Sequence, residues 1–203
     1  MPAFLTLLLF FVSLLGFAGT EELARKFRSI ADYRTIRADF IQTRRLTELD
    51  MTIEIRGTMV CENSGRLRWQ VDSPVRSVTV IGEKLLTHYD AETGKTSKIR
   101  QSKFPWLKVL RDCLTDWISG DPDRLAKRFD LAGKDERTLR LTPKEDGLKN
   151  LFRSAEIRAD AKFTAIETIT IEENSGDVLT IRFANVRKDP AGLTEKTWQA
   201  APE

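Results

Sequence analysis

Histidine occurs once in the 203 residues and cysteine twice, which leaves little for catalysis or metal binding to use. The chain has no His/Cys/Asp cluster at metal-ligand spacing, no glycine-rich phosphate loop and no nucleophile elbow. The single imidazole, His88, falls mid-strand on the side opposite Leu85 and Tyr89, so a surface or network role is expected of it. Adjacent carboxylates such as Glu172 and Glu173 alternate faces on a strand and cannot converge as an acid and a base. An enzyme is not expected, nor is a bound cofactor. One-sided charge is also missing. The 33 basic and 30 acidic residues are interspersed and net +3, too balanced for a nucleic-acid track, though a mildly basic surface is compatible with anionic lipid headgroups. The sequence contains no internal repeat and no low-complexity segment.

The one long hydrophobic run is at the start. Met1 to Ala18 carries no charged side chain, is almost continuously apolar from Ala3 to Phe17, and ends in Gly16-Phe17-Ala18, a small-x-small pattern suited to signal peptidase. It is shorter than the roughly 20 residues a membrane span needs, and no cysteine follows it. A secretory signal over 1–18, cleaved near Ala18, is therefore expected, with residues 19–203 forming one domain that is not itself lipidated. In an oxidising compartment Cys61 and Cys113 could pair. Cys61 lies on the dry face of a strand and Cys113 on the apolar face of a helix, however, so buried free thiols are the expectation.

What the chain has in quantity is alternation. In Met51 to Glu62, Met51, Ile53, Ile55, Met59 and Cys61 are apolar, and Thr52, Glu54, Arg56, Thr58 and Glu62 are polar, a period of two that predicts a strand with one dry face. Asn63-Ser64-Gly65 turns the chain, and Arg66 to Val71 resumes with Leu67, Trp69 and Val71 on the dry side. Val75 to Ile81, Lys84 to Asp90 and Thr96 to Arg100 continue an antiparallel meander. Ahead of it, Thr20-Glu21-Glu22 starts a helix to about Tyr33, and Ile36, Ala38 and Phe40 begin the first strand. Further strands are predicted over Arg137 to Thr142, Phe152 to Asp160, Thr164 to Glu173 and Asp177 to Asn185, with Trp198 pinning the tail.

The second informative stretch is Phe104 to Ser119, opened by Pro105. At 100° per residue, Trp106, Leu107, Val109, Leu110, Cys113, Leu114, Trp117 and Ile118 fall in one half of the wheel and the polar residues fill the other. Gly120-Asp121-Pro122 stops this helix and starts a short one to about Phe129. The apolar half matches the dry face of the sheet, and breaks isolate the helix at both ends, so it is expected to act as a mobile lid.

Gly57, Arg66-Leu67-Arg68-Trp69, Pro74, Ile81-Gly82, Leu85 and Tyr89-Asp90, with Phe40-Ile41-Gln42 upstream, resemble the LolA-type periplasmic outer-membrane lipoprotein carriers. The resemblance spans most of residues 19–203 and rests on dispersed positions. It implies an α+β, mostly β fold, in which an open, strongly curved antiparallel half-barrel of about 9–11 strands is covered by helices around an apolar cavity for acyl chains. It also implies a monomeric carrier that takes a lipidated product from an inner-membrane donor to an outer-membrane acceptor, without nucleic acid. A sensor or interaction module on the same half-barrel, detecting lipid or mislocalised lipoprotein, is the alternative. On this reading the acyl chains meet Phe40, Met59, Leu67, Trp69, Val78, Val80 and Leu85 from the sheet. Trp106, Leu107, Leu110, Leu114 and Trp117 meet them from the helix, and Ile169, Ile181 and Phe183 from the last strands. The arginine that latches the lid in this family would fall at Asn63, so the latch is absent or supplied by Arg66 or Arg68.

Overall fold

The computed structural model describes residues 19–201, apart from the side chains of residues 105 and 106; the expected signal over 1–18 lies outside them. After a helical segment at 19–27 (α1) come β1 (Thr35–Leu46), β2 (Met51–Glu62), β3 (Leu67–Ser73), β4 (Ser77–Ile81), β5 (Leu85–Asp90) and β6 (Lys95–Arg100). Helices α2 (Pro105–Ser119) and α3 (Pro122–Leu125) lead into β7 (Phe129–Asp135) and β8 (Thr138–Pro143). A short α4 (Asp146–Lys149) precedes β9 (Phe152–Ala159), β10 (Ile166–Glu173) and β11 (Val178–Lys188). All eleven strands join one antiparallel sheet in the order β6-β5-β4-β3-β2-β1-β11-β10-β9-β8-β7. Its edges, β6 and β7, do not pair with each other, so the half-barrel stays open, as expected. β7 had no counterpart among the expected strands: only Phe129 and Leu131 of its residues are both apolar and inward, too short a pattern to stand out.

The pairing explains several residues. Phe40 lies opposite Gly57 in the β1–β2 ladder, and its ring stacks on Trp69 with centroids 3.9 Å apart. A Cβ at position 57 would come within 1.8 Å of the Gln70 carbonyl oxygen and 3.0 Å of Phe40 Cζ. Only glycine lets β3 and the Phe40 ring approach this closely. At the end of α2, Gly120 takes a left-handed conformation (φ 65°), and a Cβ there would meet Ile166 Cδ1 at 2.8 Å. The core fills the concave side. Phe27 and Ile30 from the N-terminal segment, Trp117 and Ile118 from α2, and the inward residues of β1–β3 and β7–β11 form one buried cluster.

Two expectations about faces are corrected. Met51 and Ile53 are on the same side of β2 as Met59 and Cys61 but are 54% and 46% exposed, because β3 ends opposite Arg56 and leaves the start of β2 with β1 as its only strand neighbour. Val78, Val80 and Leu85 point away from the concave side. The pairs Leu67–Ile81 and Trp69–Thr79 put Ile81 and Thr79 on the dry face, and Ile81–Leu86 and Thr79–His88 carry Leu86 and His88 with them. On the outer face the tail passes beside Arg68, Gln70 and Val78, and the Arg66 guanidinium sits 4.2 Å from the Trp198 ring centroid.

Candidate functional site

Between the concave face and α2 is an open cavity of about 450 Å³. Its floor is Leu67 and Trp69 of β3, Ile81 of β4, and Ile171, Leu179 and Ile181 of β10 and β11. Its roof is Leu110, Cys113, Leu114 and Trp117 of α2, one helical face at the spacing the sequence predicts. Leu148, Leu151 and Phe152, on α4 and just after it, close one end. Polar lining is confined to Gln42, Thr79 and Glu173. The Thr79 hydroxyl is 2.9 Å from His88 Nδ1, which places the lone imidazole beside Thr79 on the concave face.

Of the residues expected to meet acyl chains, Leu67, Trp69, Leu110, Leu114, Trp117 and Ile181 line this cavity. Phe40, Met59, Leu107, Ile169 and Phe183 lie in the packed layer around it, all under a tenth exposed. Val78, Val80 and Leu85 are on the other face, and the side chain of Trp106 is outside the described ones. Sequence reasoning missed Ile171 and Leu179, although each is two residues from a residue it named, Ile169 and Ile181, and so on the same face. It also missed Leu148 and Leu151, whose only signal is a three-residue spacing between the strands expected to end at Thr142 and to start at Phe152.

The polar side of α2 is held by a chain of charges. Arg111 donates to the Gly82 and Glu83 carbonyls of the β4–β5 turn at 3.1 and 3.3 Å and pairs with Asp112 at 2.7 Å. Arg128 bridges Asp112 (3.2 Å) and Asp116 (2.6 Å), and Arg124 adds a second contact to Asp116 at 2.7 Å. Arg124 also donates to Asn63 Oδ1 at 2.5 Å, while Asn63 Nδ2 donates to the Ala31 and Tyr33 carbonyls. The β2–β3 turn is thus joined to the helices by Arg124, reaching in from α3. Arg66 instead pairs with Glu62 and Glu195, and Arg68 bonds Gln70.

Burial raises the Asp116 carboxyl above its ordinary value despite the two guanidiniums. For Asp112 burial also pushes upward, but Lys108 and Arg111 together outweigh it and the carboxyl is held low. Burial pushes the Cys61 and Cys113 thiols up to about 12. Both are free and buried, hence neutral and unreactive at physiological pH. Among the described residues no group of three or more His, Cys, Asp or Glu could hold a metal ion, and no helix is long and apolar enough to cross a membrane.

The sequence profile of a family described as "Outer membrane lipoprotein carrier protein LolA" matches residues 31–196. An outer-membrane lipoprotein carrier protein of Pseudomonas putida is 24% identical over 184 residues, covering 88% of this chain and 84% of its own. Among solved structures, an uncharacterised conserved protein of Thermus thermophilus superposes with a TM-score of 0.54 at 13% identity, over 90% of this chain and 94% of that one. A DUF1329 family protein of Desulfovibrio piger gives 0.51 at 12% identity, over 91% and 97%. The structural likenesses concern the fold.

Proposed function

The chain belongs to the LolA family of outer-membrane lipoprotein carriers, and on that premise we propose that it is a periplasmic carrier whose cavity under α2 takes acyl chains of a lipidated product. The observation that carries this reading is the cavity itself, open and walled almost wholly by aliphatic and aromatic side chains between a fixed sheet and one helix face. Its donor would be an inner-membrane complex and its acceptor an outer-membrane one, and it would act as a monomer.

Release is the physical constraint on such a carrier. Each buried methylene is worth about 0.8 kcal/mol, so full burial of several chains would pass the practical ceiling of roughly 20 kcal/mol for non-covalent affinity. An open cavity, with Leu110 of its roof 38% exposed, encloses its cargo incompletely, which keeps release possible.

The test is Leu110→Glu. Leu110 is 38% exposed and lines the cavity, so a carboxylate there reaches water at its edge yet puts charge where the tails lie. The expected outcome is a folded protein, with a melting temperature within a few degrees of the parent, that no longer binds a fluorescent fatty-acyl probe. A folded variant that binds the probe as the parent does would remove the cavity from the mechanism.

A further inference from the structure

We propose that the inner face of the β1–β2 hairpin, beyond the cavity, is a second and open stretch of acyl-chain site, in which Ile55, Ile53, Met51 and Leu46 carry the part of a chain that the cavity does not enclose. This rests on the reading of the cavity as an acyl site and extends it.

The strip is continuous with the cavity by register. Gln42, a lining residue, pairs with Ile55 on one side and Ile181 on the other. One step outward, Arg44 pairs with Ile53 and with Leu179, also a lining residue, and one step further Leu46 pairs with Met51. Ile55 to Met51 therefore runs about 13 Å out from the cavity lip on one face of β2. Arg44 shares that face, but its guanidinium is drawn to Glu173 at 2.8 Å and Asp177 at 3.4 Å, on the β10–β11 side and away from β2. Only its aliphatic stem remains beside the strip.

The hairpin is held in place. The Thr47 amide donates to Asp177 Oδ1 at 2.9 Å, and its hydroxyl donates to the Gly176 carbonyl at 2.7 Å. A tied ribbon that keeps Met51 and Ile53 about half exposed forgoes part of the burial those side chains could contribute to folding. A bilayer is the less suited occupant. Arg44, Arg45 and Arg56 are balanced by Glu48, Asp50 and Glu54, so the hairpin offers an anionic surface no net attraction.

The experiment compares the protein with its Met51→Gln/Ile53→Thr double variant, using fluorescent saturated acyl probes of eight and eighteen carbons. Both positions are exposed, so the melting temperature should be unchanged. Affinity for the short chain should stay the same, because the cavity alone encloses it, and affinity for the long chain should fall about tenfold, the equivalent of about two buried methylenes. An equal change for both probes, including none, overturns the proposal. So does parent protein that binds neutral or anionic vesicles through these two residues while both probe affinities are untouched. If the parent binds neither probe, the cavity reading falls first and this one with it.

Discussion

Within α2 the first two turns and the last two follow the same pattern of apolar and polar residues, yet their surroundings differ. Lys108 and Leu110 reach solvent, whereas Thr115, Asp116 and Ser119, on the polar half of the wheel, are as buried as Trp117 and Ile118. The cause lies downstream. The chain stops at Gly120, turns through α3 and returns with Arg124 and Arg128, whose guanidiniums meet Asp116. A polar helix face is therefore dry where the chain brings groups that pair with it, as the Gly82 and Glu83 carbonyls do for Arg111 and the two arginines do for Asp116. One helix thus joins a partly exposed first half, which gives the cavity roof Leu110, to an anchored second half, which gives it Cys113, Leu114 and Trp117. Opening of the cavity is accordingly expected at its Leu110 end, as movement of the first half about the second, rather than as departure of a whole lid.

The most severe test of this contrast is Asp116→Ala. Its side chain is only 4% exposed, and removing it takes one partner from each of two guanidiniums, leaving Arg128 with Asp112 and Arg124 with Asn63, which should cost about 1–3 kcal/mol of stability in chemical denaturation. Lys108→Ala, which removes the exposed i,i+4 pair with Asp112, should cost less than about 0.5 kcal/mol. Similar losses for the two would mean the halves are held alike. Hydrogen exchange reads the same difference without mutation: amides from Cys113 to Ser119 should exchange far more slowly than those of Lys108 to Arg111, and a uniform rate along the helix would break the comparison.

The smallest expected effect is in acid. Asp112, with a folded value below the unfolded value of about 3.9, contributes stability that is present above about pH 4 and lost as pH falls through the lowered value. Asp116 is raised, so its contribution has the opposite sign, complete below about pH 4 and lost as pH rises through the folded value. Asp112→Asn should then flatten the acid limb of a stability–pH curve and Asp116→Asn should steepen it. The same slope change from both would contradict the assignment.

Much of the fold is legible in the chain because it is local. The alternation in Met51 to Glu62 and Arg66 to Val71, the turn at Asn63-Ser64-Gly65, and the Pro105 start and Gly120 stop of α2 each follow from neighbouring residues and reappear in the structure. The apolar side of α2 was readable for the same reason, and so four of its residues in the cavity roof were within reach. The strands β4 and β5 were not readable in this sense. Val78, Val80 and Leu85 occupy one parity and Ile81 and Leu86 the other, so hydrophobicity alone does not choose between the faces, and the choice falls to the register with Leu67 and Trp69.

By itself, then, the sequence determined the periods and the stops, because these depend on residues a few positions apart. Only the tertiary structure decided which parity of β4 faces inward, that Met51 and Ile53 stand beyond the end of β3, and that Asp116 lies buried between two arginines. Each of those depends on what a distant segment brings alongside, and a pattern read along one strand or one helix carries no information about its neighbour across the fold.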